Sequence, residues 1–137
     1  MISNVEGVFV GGFDDLTRTA AQSIRKALQV TGDELAPVLL GRGMQRTVKP
    51  LADALDFKTL EPVGTTVDEL IKSNGSLLDE ALDEGRRVFF VGRNQGGVFI
   101  PEELERLRKR GFEAVQRTTI TNSEGVEVPV FEFVRME

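Results

Sequence analysis

Short apolar runs alternate with longer amphipathic segments along most of the chain, a pattern typical of strands that are followed by helices. The clearest run is VFFV at Val88–Val91, which is wholly apolar and is followed at once by turn residues. Similar runs predict strands at 7–13 and 37–40, and a further short strand is predicted at 58–63. This alternation indicates a sheet whose strands are connected by helices.

Apolar residues at helical spacing predict four helices, at 16–30, 44–55, 65–84 and 101–110. Pro50 lies inside the second helix, where it either kinks the helix or marks the start of its regular part. The third helix begins with Thr66 and Glu69 at the spacing of a capping box, and its residues 73–75 are a candidate break. Pro101 suits the first turn of the fourth helix.

The end of the chain follows a different pattern from the rest. Residues 118–134 alternate around the turn sequence NSEG, which predicts a β-hairpin. A chain of 137 residues has the length of one domain, and no repeat or linker divides it. We therefore expect a single α/β domain over residues 1–137, with a three-layer α/β/α arrangement, a mixed and mostly parallel sheet, and a C-terminal β-hairpin.

The composition excludes several kinds of chemistry. The sequence contains no cysteine and no histidine, which rules out thiolate nucleophiles, cysteine-bound zinc and histidine acid–base catalysis. Any catalytic group must then be Asp, Glu, Lys, Ser or Thr, so an enzyme is the less favoured class. Gly11-Gly12 lacks the third glycine of a dinucleotide fingerprint, and no P-loop pattern occurs. The sequence predicts neither a metal nor a cofactor.

The charge balance bears on the partners of the chain. With 22 acidic and 17 basic residues, the net charge of −5 disfavours a nucleic-acid partner. The basic run at 106–110 closes a helix that opens with Glu102 and Glu103, an arrangement that complements the helix dipole, although a nucleic-acid patch is the alternative. No apolar run approaches the ~20 residues of a membrane span and no signal sequence is recognised, so we expect a cytoplasmic protein without a membrane partner.

Three glycine-containing loops follow predicted strands, at 11–15, 41–43 and 92–97. In open α/β sheets, ligands bind beyond the carboxyl ends of the strands. Arg42 and Arg93 lie between glycines in two of these loops, and a guanidinium group matches a phosphate or a carboxylate. The alternative is that the glycines only form tight turns and the arginines are solvated or paired with Asp14 and Asp15.

Asp14 and Asp15 add a different alternative to the first loop. Either residue could be the reactive carboxylate of an unrelated activity. Adjacent aspartates after a strand are also ordinary helix caps.

The order of these motifs resembles the histidine phosphatase superfamily, in particular its small phosphohistidine-phosphatase-like branch. VFVGG at 8–12 occupies the place of the family's strand and Arg-His-Gly motif, and Leu-Thr at 16–17 begins the next helix as in the family. The stretch 42–55 follows the shape of the family's Ser-Pro-Leu-x-Arg-Ala-x-Gln-Thr segment and keeps its arginine at Arg46. VFFVGRN at 88–94 is similar to the family's Val-Gly-His-Asn strand end.

The resemblance also shows what this chain lacks. The family uses one histidine as the phosphate acceptor and a second histidine beside it. Gly11 or Gly12 replaces the first, and Arg93 replaces the second. An arginine, whose pKa lies above ~12, neither attacks phosphorus nor shuttles a proton near neutral pH. The resemblance therefore implies a domain that has lost the phosphatase reaction.

Two functions follow as expectations from these observations. The first is a catalytically inactive, phosphatase-like domain that binds a phosphorylated or other anionic small ligand, or a phosphorylated or acidic segment of a partner protein. The resemblance and the loop chemistry together predict its ligand-binding residues, which are Gly11, Gly12, Arg42, Arg46, Arg93 and Asn94. The second is a protein-interaction or assembly module with no small-molecule site.

Overall fold

The computed structural model describes residues 7–10, 18–41, 48–92, 100–122 and 125–136. The described residues form five strands, which are β1 (Gly7–Val10), β2 (Val38–Gly41), β3 (Val88–Val91), β4 (Phe112–Asn122) and β5 (Glu127–Arg135). They also form four helices, which are α1 (Arg18–Ala27), α2 (Lys49–Leu55), α3 (Val67–Asp83) and α4 (Ile100–Lys109).

The strands form one mixed sheet in the order β1-β4-β5-β3-β2. β1 pairs with β4 and β2 pairs with β3 in parallel, whereas β5 is antiparallel to both β4 and β3. Four strands therefore point the same way, and the predicted mixed α/β sheet with its C-terminal hairpin is confirmed. The hairpin lies inside the sheet, where β5 joins the two parallel pairs.

Two strand predictions need correction. β4 begins at Phe112 and not at 118, because the polar-rich residues before Thr118 pair with β5 although their alternation of apolar residues is weak. The predicted strand at 58–63 is wrong. Lys58 forms only a single bridge to Val38, and beyond it the chain turns outward until Val63 is 74% exposed.

Three of the helix predictions are settled by the described residues. α2 begins at Lys49 with Pro50 in its first turn, where a missing N–H costs nothing, so the regular part starts at the proline. Thr66 and Glu69 form the predicted capping box at the start of α3. α3 continues without a break through residues 73–75, where Asn74 and Gly75 are buried.

Alternate strand residues supply two separate hydrophobic clusters. The first cluster includes Leu39, Phe89 and Val91 and packs against helices α1 and α2. The second cluster includes Val38, Leu40, Val88 and Phe90 and packs against α3 and α4. Because neighbouring residues of a strand point to opposite faces of a sheet, the two clusters lie on opposite faces.

The close pairing of β2 and β3 depends on Gly41. A Cβ atom at this position would lie 2.5 Å from the carbonyl oxygen of Val91 and 3.0 Å from a methyl carbon of Val48. We predict that Gly41→Ala lowers the free energy of unfolding by about 1–3 kcal/mol, because the clash is with strand backbone. Urea unfolding followed by circular dichroism measures this change.

Gly32→Ala is the matched control for that experiment, because nothing lies within 4 Å of a Cβ at Gly32. It should unfold at nearly the same urea concentration as the unchanged chain. Equal destabilisation by the two substitutions would contradict the packing explanation.

Candidate functional site

All of the sequence-predicted ligand-binding residues lie outside the described residues. They fall in the ranges 11–17, 42–47 and 93–99, which contain Gly11, Gly12, Arg42, Arg46, Arg93 and Asn94. Asp14 and Asp15 lie in the first of these ranges. The structure describes the strand ends from which these three segments leave the sheet.

The segments at 42–47 and 93–99 leave the sheet from neighbouring strands. β2 and β3 are adjacent and parallel, and Gly41 at the end of β2 is paired with Val91 at the end of β3. Gly92 continues from β3 with a positive φ of 104°, and its N–H donates to the carbonyl of Pro129 at 2.8 Å. Gly41 and Val91 therefore lie about 5 Å apart, at the edge of the sheet where the parallel strands have their carboxyl ends, which we call the carboxyl edge.

The segment at 11–17 follows a more distant strand. β1 points the same way as β2 and β3, but β4 and β5 lie between β1 and β3. Since neighbouring strands are ~4.8 Å apart, the end of β1 lies roughly 14 Å from the end of β3. A small anion at the ends of β2 and β3 would therefore lie far from the end of β1. Only a longer ligand could reach both places.

Helix α4 carries a buried carboxyl group that was not predicted as a site residue. Glu103 is in the first turns of α4, and it is only 7% exposed. Its Oε2 accepts a hydrogen bond of 2.7 Å from Nδ2 of Asn74, which is buried on α3. Burial raises the pKa of Glu103 to about 7, against the opposing effect of the Asn74 hydrogen bond. This carboxyl group can therefore gain or lose a proton near neutral pH.

One signal in the sequence could have identified Glu103. Leu104 and Leu107 mark the apolar face of α4, and Glu103 precedes Leu107 by four residues, which places it on that face. Leu107 is fully buried. A carboxyl group at a core position of an amphipathic helix is unusual, because buried charges require a partner.

The basic run at the end of α4 is engaged with α3. Arg106 donates to Asp79 at 2.6 Å, and Arg110 donates to both Asp79 and Asp83, at 3.1 and 2.8 Å. The prediction that these basic residues complement the helix dipole was therefore incomplete, because Arg106 and Arg110 also form ion pairs with α3. These pairs neutralise much of the charge that a nucleic-acid patch would need.

Glu132 is the centre of a second ionic cluster. It is 6% exposed on β5 and accepts a two-point contact from Arg87, with Nε at 2.8 Å and Nη2 at 3.0 Å. Nε of Arg117 donates to the same carboxylate at 3.0 Å. Burial favours a raised pKa at Glu132, but the hydrogen bonds and charges of Arg87 and Arg117 outweigh it, and the net pKa is lowered. This cluster is a structural link, because its charges are matched.

No protein-family model, curated protein or solved structure matches the chain. The similarity to histidine phosphatases therefore stays a prediction from the sequence motifs.

A cavity lies beside the end of α4, at the opposite end of the sheet from Gly41 and Val91. Its volume is about 530 Å³, and most of its lining is apolar, formed by Phe90, Leu104, Phe112, Ala114, Phe131, Phe133 and Met136 together with Gly111. Arg108 and Glu113 also contribute to the lining. The cavity therefore presents phenylalanine rings with one charge of each sign, and its surface suits an apolar group better than a phosphate.

The described ranges also bear on metal binding and on membrane insertion. Among these residues, no group of three or more metal-ligating side chains could hold a metal ion. No helix within them is long and apolar enough to cross a membrane.

The buried Glu103 makes stability depend on pH. Its pKa is about 7 in the folded chain against 4.5 for an ordinary glutamate, so the folded state holds more protons between these values. The contribution of Glu103 to the stability of the fold then falls as the pH rises from about 5 to about 7. Glu103→Gln keeps an acceptor for Asn74 but cannot ionise. We expect the free energy of unfolding of Glu103→Gln, relative to that of the unchanged chain, to rise by a few kcal/mol across that range.

Urea unfolding at pH 5 and at pH 8 measures this difference. Glu102→Gln is the control, because Glu102 is exposed on the same helical turn. Its unfolding should follow the pH profile of the unchanged chain. A constant difference between Glu103→Gln and the unchanged chain at both pH values would contradict the buried titration.

Proposed function

We propose that this chain is a non-catalytic α/β domain that binds a phosphorylated small molecule or a phosphorylated protein segment where β2 and β3 end. One observation carries the proposal. β2 and β3 are adjacent and parallel, so the segments that contain Arg42, Arg46 and Arg93 leave the sheet from neighbouring strands. Two segments that follow strand ends about 5 Å apart can direct their guanidinium groups at one anion.

We propose in addition that residues 1–137 form one three-layer α/β/α domain. In support, the two hydrophobic clusters lie on opposite faces of one sheet, with α1 and α2 on the first and α3 and α4 on the second. This arrangement leaves the carboxyl edge of the sheet as the natural place for a ligand.

The proposal excludes phosphatase chemistry of the histidine type. The sequence has no histidine to accept a phosphoryl group or to shuttle a proton. The carboxyl group of Glu103 is buried against Asn74, so it does not replace either histidine as an exposed nucleophile. Arginine at position 93 would add positive charge in place of a proton donor, which favours holding a phosphate and not cleaving it.

A protein-interaction module remains the second candidate function. The observation that favours it is the cavity of about 530 Å³ lined by the four phenylalanines of β3, β4 and β5. Such an apolar surface suits contact with a protein side chain and requires no anion.

Isothermal titration calorimetry separates the two functions. Inorganic phosphate and phosphoserine are titrated into the protein, with chloride at the same ionic strength as the reference. We predict that phosphoserine binds and that Arg46→Ala and Arg93→Ala each weaken its affinity by roughly ten- to a hundredfold, the effect of removing a charged hydrogen-bond donor.

Lys109→Ala is the control for that titration. Lys109 is an exposed cation at the far end of α4, so its removal changes the net charge equally without reaching the carboxyl edge. Absence of any binding heat and of any thermal stabilisation by phosphate would favour the interaction module. Turnover of a phosphate ester by the unchanged protein would overturn the non-catalytic assignment.

A further inference from the structure

The cavity beside the end of α4 gathers much of the aromatic surface of the chain. The sequence has nine phenylalanines and neither tyrosine nor tryptophan, and four of the nine line this cavity, at Phe90, Phe112, Phe131 and Phe133. Phe90 and Phe133 are buried, whereas Phe112 and Phe131 are only half-buried. The last two rings therefore keep apolar surface in contact with water, and a bound apolar group would be stabilised by covering it.

The wall of the cavity is built from described residues of β3, α4, β4 and β5 and of the short connections next to them. At one point of this wall, the N–H of Met136 donates to the carbonyl of Gly111 at 2.7 Å, which ties the end of β5 to the start of β4. The volume of about 530 Å³ lies within the range of ~300–1,000 Å³ that is typical of small-molecule sites. Such sites are mostly apolar and contain a few polar groups that orient the ligand.

One charged side chain lies on the cavity side of its helix. Arg108 follows Leu104 by one helical turn, and both residues line the cavity. Glu113 also contributes to the lining, but it alternates with Phe112 and Ala114 along β4. Its side chain therefore points to the opposite face of the sheet, and it borders the cavity through its main chain. The side chain that would meet a charged group of a ligand is thus a cation.

The guanidinium group of Arg108 is only weakly engaged. Its ion-pair partner among the described residues is Glu105, at 3.6 Å, which is beyond hydrogen-bond distance. Both side chains are largely exposed, and an ion pair of this kind contributes little stability. Arg135 places a second cation against the same wall, because its guanidinium carbon lies 6.0 Å from the centre of the Phe112 ring.

We propose that this cavity is a binding site for a small hydrophobic carboxylate, whose apolar group lies against the phenylalanines and whose carboxylate binds Arg108. A guanidinium group matches a carboxylate through two parallel hydrogen bonds. Inorganic phosphate would leave the rings uncovered, and an uncharged apolar molecule would leave Arg108 unused. The inference is independent of the proposed function, because the cavity lies at the opposite end of the sheet from Gly41 and Val91.

Titration of octanoate into the isotope-labelled protein, followed by heteronuclear NMR, tests the proposal. Octanol and octylammonium are the matched ligands, since they have the same apolar chain with no charge or with a positive charge. We expect octanoate to shift the amide signals of Gly111, Ala114 and Phe133 and to bind more tightly than octanol. Octylammonium should bind most weakly, because Arg108 repels it.

Arg108→Gln separates the charged contact from the apolar one. It should weaken octanoate binding about tenfold, the effect of removing a charged hydrogen-bond donor, and leave octanol binding nearly unchanged. Lys109→Gln is the control, because it removes the same charge at the next position, which is exposed and does not line the cavity. The affinity of this control for octanoate should stay close to that of the unchanged chain.

Ala114→Leu tests the apolar part of the site. Ala114 lines the cavity and has an exposed side chain, so a leucine there would occupy space that the apolar chain of the ligand needs. Octanoate and octanol should both bind more weakly to this variant. Circular dichroism and thermal melting verify that each variant is folded.

Two outcomes would overturn the proposal. The first is the absence of shifts at these amides up to about 10 mM octanoate, a tenfold excess over a weak Kd of about 1 mM. That result is expected if another part of the chain or only a protein partner fills the cavity. The second is equal affinity for the three ligands, which would exclude a role for Arg108. Neither outcome bears on the phosphoserine titration, which concerns the carboxyl edge.

Discussion

The buried Glu132 connects the two parallel pairs of strands through its ion pairs with Arg87 and Arg117. Glu132 lies on β5, the antiparallel strand between two parallel pairs, and it binds Arg87 next to β3 and Arg117 on β4. Arg87 also donates to the carbonyl oxygens of Leu28 and Gln29, just beyond α1. A buried carboxylate must be matched by nearby positive charge. This cluster therefore links β3, β4, β5 and the residues just beyond α1.

Local patterns in the sequence predicted those elements whose signals are contained within a few residues. The apolar run at Val88–Val91, the capping box at Thr66 and the antiparallel pairing of the C-terminal hairpin are of this kind. The first half of β4 was missed because the side chains of residues 112–117 are half-buried or exposed, so apolar and polar residues alternate weakly there. The stretch 58–63 contains apolar residues, but only Lys58 pairs with β2. Local propensity therefore suggested a strand that the tertiary pairing does not form.

The ionic contacts could not be predicted from the sequence, because their partners are distant along the chain. Arg87 and Glu132 are separated by 45 residues, and Asn74 and Glu103 by 29. A helical periodicity shows that Glu103 is on a buried face, but it does not show which side chain of α3 meets it. The proton affinity of Glu103 depends on that burial. The candidate ligand-binding set rests on motif order, and its residues lie in the three segments outside the described ranges.

The glycines and the arginines that suggested an anion site do not support it equally. Gly41 is required by the close approach of β2 to β3, and Gly92 by its positive φ as the chain leaves β3, so packing and turn geometry explain both without a ligand. The described arginines next to carboxylates, such as Arg87 and Arg110, are structural connectors in a chain with an excess of acidic residues. An arginine at the carboxyl edge binds phosphate only if no carboxylate has already matched its charge. The proposal therefore depends on the partners of Arg46 and Arg93, and the glycines around them add no independent support.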